Sequence, residues 1–294
     1  MIAEDRLGHL DQVALATERP AIDARVLRGI ELRVHRRRGL DIGAAWFRGV
    51  PLAWIARAGE GGEESADWRE AWGGGLVTTC GLDNVGAPSE GIGLHGTYTF
   101  LAARDVALEQ SASEVVVRGT VEDPRGLRVE RTIRTAAGSG RLELVDRTTN
   151  VADRPLEAPV LYHVNLGWPL WDDGARVETD AVEVRARDED AAPHDWSTAP
   201  AEPAALPERV WEHIGATRAE VANARVGLRL AVEFDLPRLW QWVDPAPGTY
   251  ALGIEPANCS VLGRSHDRAE GRLPFLEPGR ERSTRIAVSV EELR

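Results

Sequence analysis

Two histidines lie in segments that do not follow the pattern of an ordinary strand. His95 lies in residues 91–96 (GIGLHG), where glycines let the backbone approach a ligand closely. His163 and Asn165 share residues 161–167 (LYHVNLG), and strict alternation directs both side chains to the same face of a strand. Burying such polar groups without hydrogen bonds costs about 1–3 kcal/mol each, so they need partners or a ligand. Without a ligand, His95 would be a water-exposed loop residue and His163 a hydrogen-bonded core residue.

Glu255 follows an apolar segment, residues 250–254 (YALGI), and precedes Pro256. We expect this proline to end the strand, because proline cannot donate a hydrogen bond to a sheet. If Glu255 is buried near Trp240 and Trp242, desolvation raises its pKa toward neutrality and suits it to general base catalysis. The alternative is an exposed carboxylate at the end of a strand.

The elements that position these residues are predicted to be β-strands, because apolar and polar residues alternate with a period of two over most of the chain. Three successive strands are predicted at residues 114–121, 127–135 and 141–149. Turn sequences at 123–126 (DPRG) and 137–140 (AGSG) separate them, so we expect an antiparallel meander.

Further segments share this alternation and are also predicted to be strands. They are residues 29–34, 177–185, 226–234, 249–254 and 284–290. One short helix is predicted at 63–72 (EESADWREAW), capped by Ser65 and ended by the glycines of 73–75. Residues 191–207 are rich in proline and alanine and are predicted to form a long surface loop. Many strands joined by short turns predict an all-β chain, a large antiparallel β-sandwich, folded as a single domain over residues 1–294.

The composition of the 294-residue chain restricts the functions open to it. The net charge of −12 is spread along the chain and disfavours binding to nucleic acid or to an anionic membrane. All 35 basic residues are arginines, so a lysine Schiff base is excluded. Cys80 and Cys259 can form one disulfide at most, and no spacing of cysteines and histidines typical of a metal site occurs. No signal peptide or apolar membrane span is evident, which makes a cytoplasmic location the expectation.

Five motifs together resemble the galactose mutarotase-like superfamily. They extend over nearly the whole chain and are 38–43 (RGLDIG), 81–86 (GLDNVG), 94–96 (LHG), 162–165 (YHVN) and 253–257 (GIEPA). Within this superfamily, the chain is similar to a branch of aldose 1-epimerase-related proteins of unassigned function. The resemblance implies a galactose mutarotase-like supersandwich and an enzyme that interconverts the α and β anomers of an aldose.

The resemblance also implies roles for individual residues. Glu255 would be the general base that takes the proton of the anomeric hydroxyl, and His163 would be the general acid that protonates the ring oxygen. His95 and Arg38 would orient sugar hydroxyls, and Asn165, close to His163, would contact the sugar. Such ring opening needs no metal or organic cofactor. The reaction is already spontaneous in water, and each assisted proton transfer typically contributes about 10²–10⁴-fold to the rate.

One sugar-binding residue of the superfamily has no counterpart in this sequence. Typical members have an aspartate, in an Asp-His-Asn segment, that binds two sugar hydroxyls, and Gln241 is predicted to take over part of its role. Trp240 and Trp242 offer flat indole faces for the apolar side of a pyranose. Asp83, in the second motif, is included among the substrate-binding candidates.

Three other functions fit parts of the pattern. A noncatalytic carbohydrate-binding or sensing protein would need the arginine and aromatic contacts but not the acid–base pair. A glycoside hydrolase or lyase would need a second carboxylate beside Glu255, and Asp83 is the only candidate. A metal enzyme would use His95, His163 and Glu255 as ligands. The expected partner is a small carbohydrate, and an exposed edge strand could also support a homodimer.

Overall fold

β-Strands form most of the regular structure in the computed structural model, which describes residues 9–10, 21–62, 65 and 67–293. In chain order the strands are β1 (His9–Leu10), β2 (Ala21–Arg25), β3 (Ile30–His35), β4 (Ile42–Phe47), β5 (Val50–Pro51), β6 (Val77–Gly81), β7 (Arg104–Gln110), β8 (Glu114–Glu122), β9 (Leu127–Ala136), β10 (Arg141–Asn150), β11 (Leu156–Glu157), β12 (Val160–Leu166), β13 (Ala175–Thr179), β14 (Glu183–Ala186), β15 (Arg209–Ile214), β16 (Arg218–Asn223), β17 (Leu228–Phe234), β18 (Arg238–Asp244), β19 (Ala251–Ala257), β20 (Phe275–Leu276) and β21 (Glu281–Glu292). The helices are α1 (Trp68–Ala71) and α2 (Arg264–Ala269), and a 3-10 helix covers Tyr98–Phe100. None of the helices in the described residues has the length and apolar character needed to cross a membrane.

The strands form two large antiparallel sheets. Within the described part of the chain, the first sheet has eleven strands in the spatial order β1-β2-β3-β4-β6-β12-β19-β18-β15-β14, with β5 paired to β4. The second has eight strands in the order β13-β16-β17-β21-β10-β9-β8-β7, and β11 pairs separately with β20. The predicted all-β antiparallel sandwich is therefore confirmed.

The central strands of the first sheet are buried on both faces. The inner face of this sheet packs against the second sheet and forms the main hydrophobic core. Its outer face carries a second buried cluster, rich in tryptophan, over the central strands β12, β18 and β19. All seven residues of β12 and all seven of β19 are consequently buried. Polar side chains on the outer face of these two strands are thus enclosed by indole rings rather than by water.

The predicted meander is confirmed as β8, β9 and β10, which pair antiparallel with one another. On β9, Leu127, Val129 and Ile133 alternate toward the core, as the period of two requires. Asp123 accepts a hydrogen bond from the backbone N–H of Arg125 at 2.6 Å and so fixes the turn between β8 and β9. The predicted strands at 29–34, 226–234 and 284–290 correspond to β3, β17 and β21.

Two strand predictions were wrong in extent. Residues 177–185 form parts of two strands, β13 in the second sheet and β14 at the edge of the first. Asp180 ends β13, because its side chain accepts hydrogen bonds from the backbone N–H groups of Thr217 and Arg218. The strand predicted at 249–254 starts at Ala251 and continues through Pro256, which lies opposite Leu239 of β18.

The helix prediction was also too long. Helix α1 covers only Trp68–Ala71, and its cap is Asp67, whose side chain accepts a hydrogen bond from the Arg69 N–H at 2.8 Å. Ser65 instead accepts one from the Asp67 N–H. Residues 63, 64 and 66 of the predicted helix lie outside the described residues. Helix α2 was not predicted, whereas the surface loop expected at 191–207 contains no helix or strand among the described residues.

A buried polar network joins the two sheets beneath β12. Arg131 is fully buried and contacts Asp146 at 2.8 and 2.7 Å and Asp41 at 2.7 Å. The Tyr162 hydroxyl donates to the second oxygen of Asp146 at 2.6 Å, and Thr79 donates to Asp41 at 2.7 Å. Because an unpaired charge is costly in a core, these partners must remain together. The network therefore fixes β12 and β6 against the second sheet.

Candidate active site

His163 and Glu255 face each other across the central strands β12 and β19. Their register pairs Leu161 with Ala257 and Val164 with Ile254, which puts His163 opposite Glu255. The His163 Nε2 and Glu255 Oε1 atoms lie 3.0 Å apart, within hydrogen-bond distance. The two residues are only 3% and 2% exposed. The strand pairing thus builds a buried carboxyl–imidazole pair on the outer face of the first sheet.

Gly253 makes room for this pair. It lies two residues before Glu255, on the same face of β19. A Cβ atom at this position would lie 2.6 Å from His163 Cε1 and 2.7 Å from Glu255 Oε1. Both distances are far below van der Waals contact, so any side chain here would displace the pair.

Burial sets the protonation of the pair. It raises the pKa of Glu255 to about 8, with a further contribution from the negative charge of Glu208. Burial and then the nearby His95 hold the pKa of His163 well below its usual range. At neutral pH the Glu255 carboxyl is therefore mostly protonated and the His163 imidazole is neutral. A protonated Glu255 carboxyl thus faces a neutral His163 imidazole, with 3.0 Å between Oε1 and Nε2.

Four tryptophans surround the pair and form much of the wall of a cavity of about 690 Å³. The His163 ring lies 5.1 Å from the Trp72 ring and 5.4 Å from the Trp242 ring, centroid to centroid. Trp54 and Trp68 each lie 5.0 Å from Trp72. A cavity of this size, apolar but with a few converging polar groups, is typical of a small-molecule site.

His95 closes one side of this cavity. Its ring lies 4.7 Å from the Trp68 ring and 5.9 Å from the His163 ring. The backbone at His95 has φ 55°, a left-handed conformation that turns the side chain inward between Leu94 and Gly96. Burial lowers the pKa of His95 to about 4, so its imidazole is neutral at physiological pH. The structure thus brings His95, His163, Glu255 and Trp242 together, in the same cavity.

Asn165 supports the strand instead of lining the cavity. Its amide donates hydrogen bonds to the carbonyls of Gly75 at 2.7 Å and of His163 at 2.9 Å. It shares a face of β12 with His163, as predicted, while Tyr162 and Val164 pack into the core between the sheets. Among the described residues, neither Asn165 Oδ1 nor His163 Nδ1 has a hydrogen-bond partner. Asn165 therefore adjoins the catalytic candidate but does not face the space for a ligand.

Arg38 lies outside the cavity, unlike the sequence-based expectation. Its guanidinium donates to the carbonyl of Gly61 at 2.7 Å and to that of Ala71 at 2.9 Å. Ala71 is the last residue of α1, the helix that carries Trp68 into the cavity wall. Both terminal nitrogens of the guanidinium thus donate to backbone carbonyls, and the bond to Ala71 connects Arg38 to α1.

Gln241 also points away from the cavity. It lies between Trp240 and Trp242 on β18, and alternation turns it to the opposite face of the sheet. There its amide donates to the Trp196 carbonyl at 2.8 Å, and its oxygen lies 2.9 Å from His213 Nε2. Trp240 shares the outer face with Trp242 but does not line the cavity.

Asp83 is occupied by its own loop. Its carboxylate accepts hydrogen bonds from the backbone N–H groups of Asn84 and Thr97 at 3.0 Å and from the Thr97 hydroxyl at 2.8 Å. It does not line the cavity, so it cannot serve as a second carboxylate for hydrolysis there. Asp83 instead stabilises the turn that presents His95.

The cavity also contains charged residues that were not predicted. Glu208 directly precedes β15 and accepts a hydrogen bond from the Trp242 indole N–H at 3.0 Å. Arg187 lies 3.4 Å from Glu208, and Arg69 lies 3.9 Å from it. Asp190 and Asp244 also line the cavity. Glu208 follows the proline-rich loop 191–207, and no local pattern marks it, because its role depends on contacts with distant strands.

The described residues contain no group of three or more His, Cys, Asp or Glu side chains arranged to hold a metal ion. His95, His163 and Glu255 all line the cavity, and the His163 Nε2 and Glu255 Oε1 atoms lie 3.0 Å apart. Cys80 and Cys259 are both buried and free.

The profile of a family described as "Domain of unknown function (DUF4432)" matches residues 19–290. No curated protein matches the sequence. Several solved structures have the same fold. A candidate aldose 1-epimerase from Klebsiella pneumoniae subsp. pneumoniae is 22% identical, with a TM-score of 0.83 over 92% of this chain and 79% of that one.

Two further structures show the same likeness at lower identity. A candidate mutarotase from Salmonella typhimurium is 10% identical, with a TM-score of 0.68 over 92% of this chain and 90% of that one. A galactose mutarotase-like protein from Clostridium acetobutylicum is 13% identical, with a TM-score of 0.66 over 93% and 95% of the two chains. At such identities the likeness establishes the fold and leaves the chemistry to be argued from the site.

Proposed function

Because the chain belongs to the family described as domain of unknown function DUF4432 and has a galactose mutarotase-like fold, we propose that it is an aldose 1-epimerase-type enzyme. It interconverts the α and β anomers of an aldose by acid–base ring opening. The observation that supports this most is the buried His163–Glu255 pair, 3.0 Å apart, on the floor of a tryptophan-walled cavity. Solved structures described as aldose 1-epimerases or mutarotases share the fold.

Ring opening moves two protons and breaks one bond. A base removes the proton of the anomeric hydroxyl, an acid gives a proton to the ring oxygen, and the bond between C1 and the ring oxygen breaks to leave an aldehyde. Rotation about the bond between C1 and C2 then presents the other face of the carbonyl, and the reverse transfers close the ring. Each transfer typically contributes about 10²–10⁴-fold to the rate.

The raised pKa of Glu255, about 8, supports this sequence of transfers, because it keeps a proton on the carboxyl at neutral pH. Transfer of this proton across the 3.0 Å between Glu255 Oε1 and His163 Nε2 gives an ionised Glu255 and a protonated His163, the form in which Glu255 is the base and His163 the acid. The two residues exchange roles on ring closure, so the pair returns to its starting state after each turnover.

The tryptophans supply the binding surface. The indole N–H groups of Trp54, Trp72 and Trp242 are hydrogen-bonded to Thr249, Thr78 and Glu208, respectively. Because these polar edges are engaged, the parts of the rings that line the cavity remain for the apolar C–H surface of a sugar. His163 and Glu255 are only 3% and 2% exposed, and this shielding from water strengthens the electrostatic effect of the pair.

The proposal is tested by NMR magnetisation exchange between the α and β anomers of a panel of aldoses, with the wild type and Glu255→Gln. We expect faster exchange for at least one sugar and its loss, by at least about 10²-fold, in Glu255→Gln. Glutamine keeps the shape of the side chain, and circular dichroism checks that the variant folds. A wild type that binds sugars without accelerating exchange would instead indicate a carbohydrate-binding protein.

A further inference from the structure

Glu208 affects the acid–base pair electrostatically, because its charge is the largest influence on the pKa of Glu255 after burial. The side chain lines the cavity and is 33% exposed. Its Oε2 accepts the Trp242 indole N–H at 3.0 Å, and its Oε1 lies 3.4 Å from a terminal nitrogen of Arg187. Trp242 of β18 and Arg187, the residue after β14, therefore hold Glu208, while part of its side chain remains open to the cavity.

The hydrogen-bonding capacity of Glu208 is only partly used. An ionised carboxylate offers about four acceptor positions. Trp242 and Arg187 take one each at the distances above, and Arg69 approaches only to 3.9 Å. The remaining acceptor positions suit hydroxyl groups, which donate to carboxylates in short, charge-assisted hydrogen bonds.

Carboxylates outnumber guanidinium groups in the lining of the cavity. Arg187 contacts Asp188 at 2.5 Å and Glu208 at 3.4 Å, whereas Arg69 approaches Glu208 only to 3.9 Å. Asp190 and Asp244 add two further carboxylates to the lining. The cavity wall thus carries more carboxylates than guanidinium groups, even with Glu255 protonated.

From this arrangement, and on the premise of the proposed function, we infer that Glu208 is a sugar-binding and specificity-determining residue. It accepts hydrogen bonds from hydroxyl groups of an uncharged aldose and repels sugars that carry a phosphate or carboxylate. An anionic sugar would lie in a cavity whose carboxylates outnumber its guanidinium groups, and it would compete with Asp188 and Glu208 for Arg187. Substrate selection is therefore exerted by repulsion as well as by hydrogen bonding.

The inference is tested by comparing glucose, galactose, glucose 6-phosphate and glucuronate as substrates and as ligands of the wild type, Glu208→Gln and Glu212→Gln. Glu212 lies on the neighbouring strand β15, pairs with Arg238 and does not line the cavity, so its variant is the matched control. The amide oxygen of a glutamine at position 208 can still accept a hydrogen bond from the Trp242 indole N–H. Saturation-transfer NMR measures binding independently of catalysis.

We expect the wild type to bind and turn over an uncharged sugar and to reject both anionic ones. Glu208→Gln should raise KM for the uncharged sugar by about tenfold, with a smaller change in kcat. It should reduce the preference of the protein for uncharged sugars over anionic ones. It should also shift the alkaline limb of the pH profile to lower pH, because a negative charge near Glu255 is removed. Glu212→Gln should behave as the wild type.

Two results would overturn the inference and leave the proposed function intact. The first is faster turnover of an anionic sugar than of an uncharged one. The second is a Glu208→Gln variant whose KM, preference for uncharged sugars and pH profile all match those of the wild type. Failure of the proposed function has a different signature, namely binding of sugars with no accelerated exchange of any anomer. In that case the binding data alone still test the role of Glu208. If Glu208 binds the sugar, Glu208→Gln must bind uncharged sugars more weakly than the wild type does.

Discussion

The rings of His95 and His163 lie 5.9 Å apart in an edge-to-face arrangement, and both imidazoles are neutral because burial lowers their pKa values. A proton on either ring would raise the cost of a proton on the other, since like charges repel strongly in a buried site. At neutral pH Glu255 therefore carries the proton available for transfer, because its pKa is raised to about 8.

The first prediction concerns the pH dependence of catalysis. Activity requires the proton of the His163–Glu255 pair, so kcat/KM should fall as Glu255 loses its proton, with an apparent pKa of about 8. On the acid side, activity should persist below pH 6.5, because the pKa of His163 is lowered. Anomer exchange measured between pH 5 and 10 tests both limbs. An alkaline limb at the ordinary glutamate pKa would contradict the buried, protonated state.

The second prediction concerns stability. Glu255 stays protonated in the folded protein up to about pH 8, whereas in the unfolded chain it ionises near the ordinary glutamate pKa. Between these two pH values the folded state binds more protons than the unfolded state, so the free energy of unfolding decreases as the pH rises. Relative to Glu255→Gln, the wild type should lose on the order of 4 kcal/mol of unfolding free energy between about pH 4.5 and pH 8. Urea unfolding of both proteins at several pH values measures this difference, and a constant difference would refute it.

The third prediction concerns the space that Gly253 provides. Gly253→Ala introduces a Cβ atom that would lie 2.6 Å from His163 and 2.7 Å from Glu255. We expect it to separate the pair, abolish anomer exchange and cost about 1–3 kcal/mol of stability. Gly61→Ala is the control, since a Cβ there meets nothing within 4 Å. Full activity of Gly253→Ala would mean that the 3.0 Å contact is not needed.

The fourth prediction concerns the network beneath β12. Tyr162→Phe removes the hydrogen bond from the tyrosine hydroxyl to Asp146 at 2.6 Å, in a fully buried setting. Because the acceptor is charged, thermal or urea unfolding should show a loss of about 1.5–3 kcal/mol. Tyr250→Phe, at a partly buried site where the hydroxyl donates to the Pro200 carbonyl, should lose less. Equal losses in the two variants would show that the network does not need this bond.

The period-two pattern sufficed to predict β3, β8, β9, β10, β17 and β21, because each has one face directed to the core. It also sufficed to put His163 and Asn165 on one face of β12. The same rule, applied to β18, would have turned Gln241 away from Trp240 and Trp242.

Other features depend on contacts between distant residues and leave no local signal. The opposition of His163 and Glu255 depends on the register of two strands separated by 92 positions along the chain, which a single sequence does not encode in any local pattern. Glu208 reaches the cavity through the pairing of β15 with β18, and Arg38 is diverted to α1 by two backbone carbonyls. The residue types were therefore enough to predict His163 and Glu255 as candidates, whereas the cavity and its charged wall could be identified only from the structure.

The positive groups at the cavity, Arg69 and Arg187, are guanidinium groups, and the chain has no lysine. Under the proposed function, every turnover exposes a free aldehyde to the cavity wall. A lysine amine at this wall would slowly become glycated and would inactivate the enzyme in proportion to its use. Guanidinium groups are poor nucleophiles toward an aldehyde. Under the proposed function, the arginine-only wall would therefore limit modification of the enzyme by its own intermediate.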